Sequence, residues 1–158
     1  MDYSTILSAI KTKVTTASGC SNVYDYERWA ANWATILALF KTSGGLIHAW
    51  MISRVSTHRQ AQSIGAAERA HVFRIRGVYG LDDSAATEKT FQGIANTVAE
   101  AFDADLTLSG ACLTLAPDWG PMANQVGLQI NDVDIRAFGN ILCHHADCRL
   151  CATESPNY

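Results

Sequence analysis

Hydrophobic positions along this chain recur with two periods, and the switches between them outline a fold. Over residues 3–17, Tyr3, Ile6, Leu7, Ile10 and Val14 stand three or four positions apart, the stripe of an amphipathic helix, and Gly19 follows where a glycine commonly ends one. Residues 22–27 alternate Val23 and Asp25 with Tyr24 and Tyr26, which predicts a brief strand or extended arm. From Arg28 to Lys41 the spacing is helical again, with Trp29, Trp33, Ile36, Leu37 and Phe40 on one face and Ser43-Gly44-Gly45 beyond as a stop. Residues 46–55 alternate through Leu46, His48, Trp50 and Ile52, and residues 70–79 set Phe73 and Ile75 against Arg74 and Arg76. Two strands are predicted there. The stretch between them, residues 56–69, has little apolar content and no period, and reads as a long loop.

A further helix is predicted from Asp83 to Phe102. Phe91, Ile94, Ala95, Val98 and Phe102 form its stripe, and Asp82, Asp83 and Ser84 offer N-terminal caps. Residues 106–115 read as extended, and Pro117, Gly120 and Pro121 mark turns. Two strand-like runs close the chain, residues 126–137 and 140–153, separated by Phe138-Gly139 as a tight hairpin. These elements specify an α+β fold, a mainly antiparallel sheet with about three helices packed on it, in a single domain over residues 1–158.

Composition narrows the function. A chain of 158 residues, 48% hydrophobic and 17% charged, can bury one real core. A net charge of -3 and an isoelectric point near 5.9 provide no basic footprint for phosphates, which argues against nucleic-acid binding as the main task. The N-terminus lacks a basic region followed by an apolar one, and no run of eighteen apolar residues occurs. A soluble, unsecreted chain without a membrane role is expected. Five cysteines, an odd number, suit reduced thiols in a cytosolic setting.

Candidate chemistry concentrates in residues 143–151, where Cys143, His144, His145, Cys148 and Cys151 are residue types that zinc takes as ligands. The strand pattern divides them. Leu142, His144, Ala146, Cys148, Leu150 and Ala152 share one face, and Cys143, His145, Asp147, Arg149 and Cys151 the other. Cys148 and Cys151 then point opposite ways, and no glycine or proline supplies the turn that a zinc knuckle needs. The preferred reading is one core-facing cysteine, a satisfied core histidine at His144 and a polar outer face. Asp82 and Asp83 with Glu88 sit at a helix start, where capping outweighs metal binding. No nucleophile elbow, P-loop or dinucleotide fingerprint occurs. Neither a catalytic residue nor a cofactor is therefore expected, and Arg74 and Arg76 line one sheet face with positive charge.

Three stretches together resemble the tail-terminator (neck) proteins of long-tailed bacteriophages. They are Val23-Tyr24-Asp25-Tyr26-Glu27 with Trp50-x-Ile52-x-Arg54; the block from His71-Val72-Phe73-Arg74-Ile75 through Gly77, Tyr79, Leu81 and Asp82-Asp83-Ser84 into Phe91 and its helix; and Asn140-Ile141-Leu142-Cys143-His144. The resemblance implies a virion subunit, assembled in the host cytoplasm, that closes into a ring, commonly a homohexamer. The ring caps the head-proximal end of the tail tube and meets the head connector, with genomic DNA passing its lumen without specific binding. No catalytic residue comes with it. His58, Arg59, Arg69, Arg74 and Arg76 are the candidates for subunit contacts. Other neck components (head-completion or stopper proteins), a tail-tube-like subunit, a Cys/His metal-binding enzyme and a ligand-binding module are the alternatives.

Overall fold

A computed structural model describes residues 2–63 and 66–155. In chain order it contains α1 (Tyr3–Ser18), β1 (Val23–Tyr24), α2 (Trp33–Phe40), β2 (His48–Ser63), β3 (Ala66–Gly80), α3 (Thr87–Asp103), β4 (Gln129–Phe138) and β5 (Ile141–Glu154). The fold is α+β, as the periodicities predict. Among the described residues there is one five-stranded sheet, in the order β1-β2-β3-β5-β4, antiparallel except where β1 runs parallel to β2. Also among them, no helix is long and apolar enough to cross a membrane.

Local chemistry sets where the helices begin. Asp2 accepts the Thr5 amide proton at 2.9 Å and Asn32 that of Thr35 at 3.0 Å, each satisfying a donor that has no partner inside the helix. The Asn32 cap corrects the expected start at Arg28, because α2 opens only at Trp33 and buries Ile36, Leu37 and Phe40. The expected cap of α3 is corrected too. Asp82 accepts from Ser84 Oγ at 2.7 Å and from the Ala85 amide at 3.3 Å, so it closes the turn ahead of the helix. Ala86, at φ 52°, precedes α3 without a side-chain cap.

The long hairpin is the largest departure from expectation. Of residues 56–69, read as a loop, 56–63 and 66–69 are strand in β2 and β3, paired from Ser56↔Val72 to Ser63↔Ala66, and the expectation for residues 64 and 65 lies outside the described residues. A strand ladder uses backbone groups that every residue carries, so a ribbon wet on both sides needs no apolar period. Residues 106–115 are mostly turns, with Thr114 alone bridging β5 at Thr153. Gly139, at φ 67°, makes the predicted turn between β4 and β5.

Helices α1 and α3 cover one face of the sheet. Ile6, Ile10, Val14, Phe91, Ala95, Val98 and Phe102 bury themselves there against Trp50, Ile52, Phe73, Ile75, Cys148 and Leu150. At about 1.5–3 kcal/mol per large apolar side chain removed from water, this layer dominates stability. Among the described residues, the second face is covered only at its ends. Helix α2 seats Ile36, Leu37 and Phe40 on Ala49, Met51, Val78 and Cys143. At the other end Met122 and Trp119, from the segment linking α3 to β4, cover Ala70, Val72 and Cys151.

Candidate assembly surface

The β2–β3 ribbon outruns the sheet. Strand β5 follows β3 as far as Arg69↔Glu154, so among the described residues the pairs Gln60↔Glu68, Ala61↔Ala67 and Ser63↔Ala66 have no further strand beside β3. The ribbon is exposed at His58 and Arg59 at its root and at Gln60 and Gln62 on this arm. Of the five predicted contact residues, His58 and Arg59 therefore stand in the open.

A buried polar group clamps the arm at its root. Glu154, 2% exposed, lies 3.3 Å from Arg69 and has Oε1 3.1 Å from His71 Nε2. The other ring nitrogen of His71 lies 2.9 Å from Thr57 Oγ1. Hydroxyl, imidazole and carboxylate follow one another as in a nucleophilic relay. Here they tie β2, β3 and β5 together where the ribbon leaves the sheet, and Arg69 balances the carboxylate. Arg69, one of the predicted contact residues, is thus engaged with Glu154 inside the subunit.

Between the two capped ends, the second face carries a belt of ion pairs. Both Nε and an outer nitrogen of Arg74 donate to Asp147, Arg76 donates to Glu27, and Ser53 Oγ donates to Glu27 at 3.0 Å. Burial pushes the Asp147 carboxyl up, but Arg74, Arg149 and His145 outweigh it and hold it below the usual range. Arg74 and Arg76 do lie on one face, yet that face is not simply positive. Acids from β1's C-terminal side and from β5 neutralise it, so these two residues are engaged within the subunit.

Sequence reasoning also missed a set of exposed aromatic rings. Residues 28–32 lie outside the helix and Trp29 is 60% exposed, while Trp33, which opens α2, is 47% exposed and Tyr26 53%. Arg28 lies over the Tyr24 and Tyr26 rings at 4.8 and 5.3 Å, and Arg76 over Trp29 at 5.5 Å. Tryptophan, tyrosine and arginine together are the residue types enriched at protein interfaces. The readable signal was Asn32, an N-cap that cuts Trp29 off from the helix. On the opposite side, an open groove of about 1010 Å³ runs between α1 and α3, lined by Ser8, Thr12, Glu100 and Leu108 among others.

The cysteine-histidine strand is divided as its alternation predicts. Cys148 faces the α1/α3 core, Cys143 the α2 cluster and Cys151 the Met122 cluster. The outer face is not wholly polar, however, because Cys143 and Cys151 are buried there in apolar clusters. His144 Nε2 lies 2.9 Å from Thr87 Oγ1 and its ring stacks on Phe91. Among the described residues, no group of three His, Cys, Asp or Glu side chains is placed to hold a metal ion. Burial pushes the Cys148 thiol to about 12 and those of Cys143 and Cys151 to about 11, which leaves almost no thiolate at neutral pH. A thiol-disulfide exchange reagent is expected to titrate all five thiols in denaturant and none rapidly in the native protein. A fast-reacting native thiol contradicts this packing.

Two histidines make stability depend on pH. His48 accepts from Trp50 Nε1 at 3.2 Å, and burial holds its pKa below 6.5. Burial does the same to His145, helped by the Arg136 and Arg76 charges and opposed by Asp134. Both rings fold neutral, whereas in the unfolded chain they gain protons near pH 6.5. Stability from these sites is fully present above about pH 6.5 and falls as the pH drops below it, toward the lowered native values. The urea midpoint is expected to decline from pH 7.5 to pH 5, and His48→Gln to flatten that slope; equal slopes for the two proteins would remove His48 as a cause.

No protein-family model matches the chain, and a search of curated proteins likewise returns no match.

Proposed function

We propose that this chain is a non-enzymatic structural subunit, a tail terminator of a long-tailed phage, which assembles with copies of itself into a ring on the head-proximal end of the tail tube. The observation that carries the reading is the arm. A two-stranded ribbon without a core of its own is marginal in water, and this one is clamped at its root by Glu154, Arg69 and His71 and held out from the body. Such a device suits contact with a neighbour. The exposed rings of Tyr26, Trp29 and Trp33 offer further contact surface.

Partners under this reading are further copies, the tail tube protein and the head connector. Genomic DNA passes the lumen without specific binding, and a net charge of -3 suits passage better than capture. Termination then follows from occupying the last tube interface while offering none to another tube subunit. The runner-up, another neck component or a tail-tube-like subunit, rests on the same surfaces and differs in behaviour. Absolute mass by light scattering coupled to size exclusion, across concentration and with tail tubes added, separates them. A discrete ring-sized species, alone or on tubes, is the expected result. Open-ended polymers point to a tube subunit, and a monomer indifferent to tubes overturns the proposal.

A further inference from the structure

The sheet ends in two free edges. Beyond the short pairing with β1 at Trp50 and Met51, no backbone hydrogen bond reaches the outer edge of β2 among the described residues. On the far side β4 pairs with β5 alone and leaves its own outer edge open. Unpaired edges template further strands, and proteins usually blunt them with charge and bulges. Both devices are present here, but the charges are of opposite sign. From Arg54 to Ser63 the β2 edge carries Arg54, His58 and Arg59 and no acid. The β4 edge carries Asp132 and Asp134, with Arg136 paired to Asp134 at 3.0 Å.

We propose that the free edge of β2 in one copy pairs antiparallel with the free edge of β4 in the next, joining copies head to tail through one continuous sheet. This deepens, and rests on, the reading of the chain as a self-assembling subunit. Strand direction supports it. The steps β2 to β3, β3 to β5 and β5 to β4 are all antiparallel, so β2 and β4 run oppositely. A copy added by rotation about a ring axis running along the strands keeps its direction and meets its neighbour in antiparallel pairing, with both helix layers on the same face. Contacts of this head-to-tail kind make rings when the rotation closes.

Side chains fit the same alignment. Setting Thr57 against Ile135 puts two side chains of the α1/α3 face together, because Thr57 lies opposite His71 and Ile135 opposite His144. The same register sets His58 beside Asp134 and Gln60 beside Asp132 on the other face. The bulges fall at Arg54/Ser56, Ala61/Ser63 and Ile130/Asp132, outside the overlap of 56–60 with 132–136. Ile135, 56% exposed, gains a neighbour in this overlap, and Val55, 53% exposed, lies at its end. Pairing β2 with β2 would bring two basic edges together, and pairing β4 with β4 would bring two copies of Asp132 and Asp134 together. The charges favour unlike edges.

The test uses the full-length chain with Gln60→Cys in one preparation and Asp132→Cys in another, both at exposed sites. Under mild oxidation the mixture is expected to yield a 60-to-132 cross-linked pair as the main product, with little from either variant alone. His58→Asp and Val55→Lys are expected to shift the assembled mass toward monomer while circular dichroism stays unchanged. If the wild-type protein assembles, yet the mixture fails to cross-link and both edge variants assemble normally, edge pairing is overturned and self-assembly stands on another surface. If the wild type stays monomeric at every concentration, with tail tubes present and without cross-linking, both readings fall.

Discussion

Gly77→Val is expected to lower stability by about 3 kcal/mol, the upper range for forcing side-chain atoms into a packed core. A Cβ on Gly77 would lie 2.8 Å from the six-membered ring of Trp50, closer than carbon atoms approach. The indole is wholly buried, and the Phe91 ring lies against it at 6.1 Å between centroids. Phe91 in turn stacks on Tyr79 and His144, so the indole has nowhere to retreat. Interiors this dense transmit the misfit rather than absorb it. Against a typical total of about 5–15 kcal/mol, the loss is large. The control is Gly93→Ala on the exposed side of α3, where an added Cβ meets nothing within 4 Å. That change is expected to stabilise by about 0.5–1 kcal/mol, because alanine restricts the unfolded chain and favours helix. Urea midpoints measure both, and an unchanged midpoint for Gly77→Val would show that Trp50 does not rest on this glycine.

Glu154→Ala should cost nearly as much, about 3 kcal/mol, the low end for removing one partner of a buried ion pair. The low end applies because Arg69, 29% exposed, can turn to water, whereas His71, 3% exposed, cannot. Hydrogen exchange along residues 57–61 and 67–71 should quicken as the clamp on the arm loosens. The double variant Glu154→Leu with His71→Phe is expected to recover most of the loss, since an apolar pair of similar volume needs no charge partner. A loss below about 1 kcal/mol in the single variant would mean that the carboxylate holds nothing.

Particular residues show how far the sequence could be read. Ile6, Ile10 and Val14 announce α1 because an amphipathic stripe is a local, one-dimensional record of burial, and Gly19 and Gly139 announce turns because both take positive φ. Alternation through residues 142–152 assigned each cysteine to its face before any neighbour was known. The candidate contact residues sit in different settings. His58 and Arg59 are exposed on the ribbon, and Arg69, Arg74 and Arg76 pair with Glu154, Asp147 and Glu27, the last two partners lying 73 and 49 positions away. No local pattern records a partner at that distance.

By itself, then, the sequence determined the α+β class, the helix stripes, the faces of the strands and the hairpin turn at Gly139. Each depends on a repeat or a backbone preference that a short window contains. Only the tertiary structure decided that residues 56–63 and 66–69 are paired strand, that buried Glu154 clamps the root of the arm, that Trp29 stays outside, and that two edges of opposite charge are left open. Those outcomes depend on which distant segments meet, and backbone pairing and charge neutralisation leave no periodic trace in the chain that makes them.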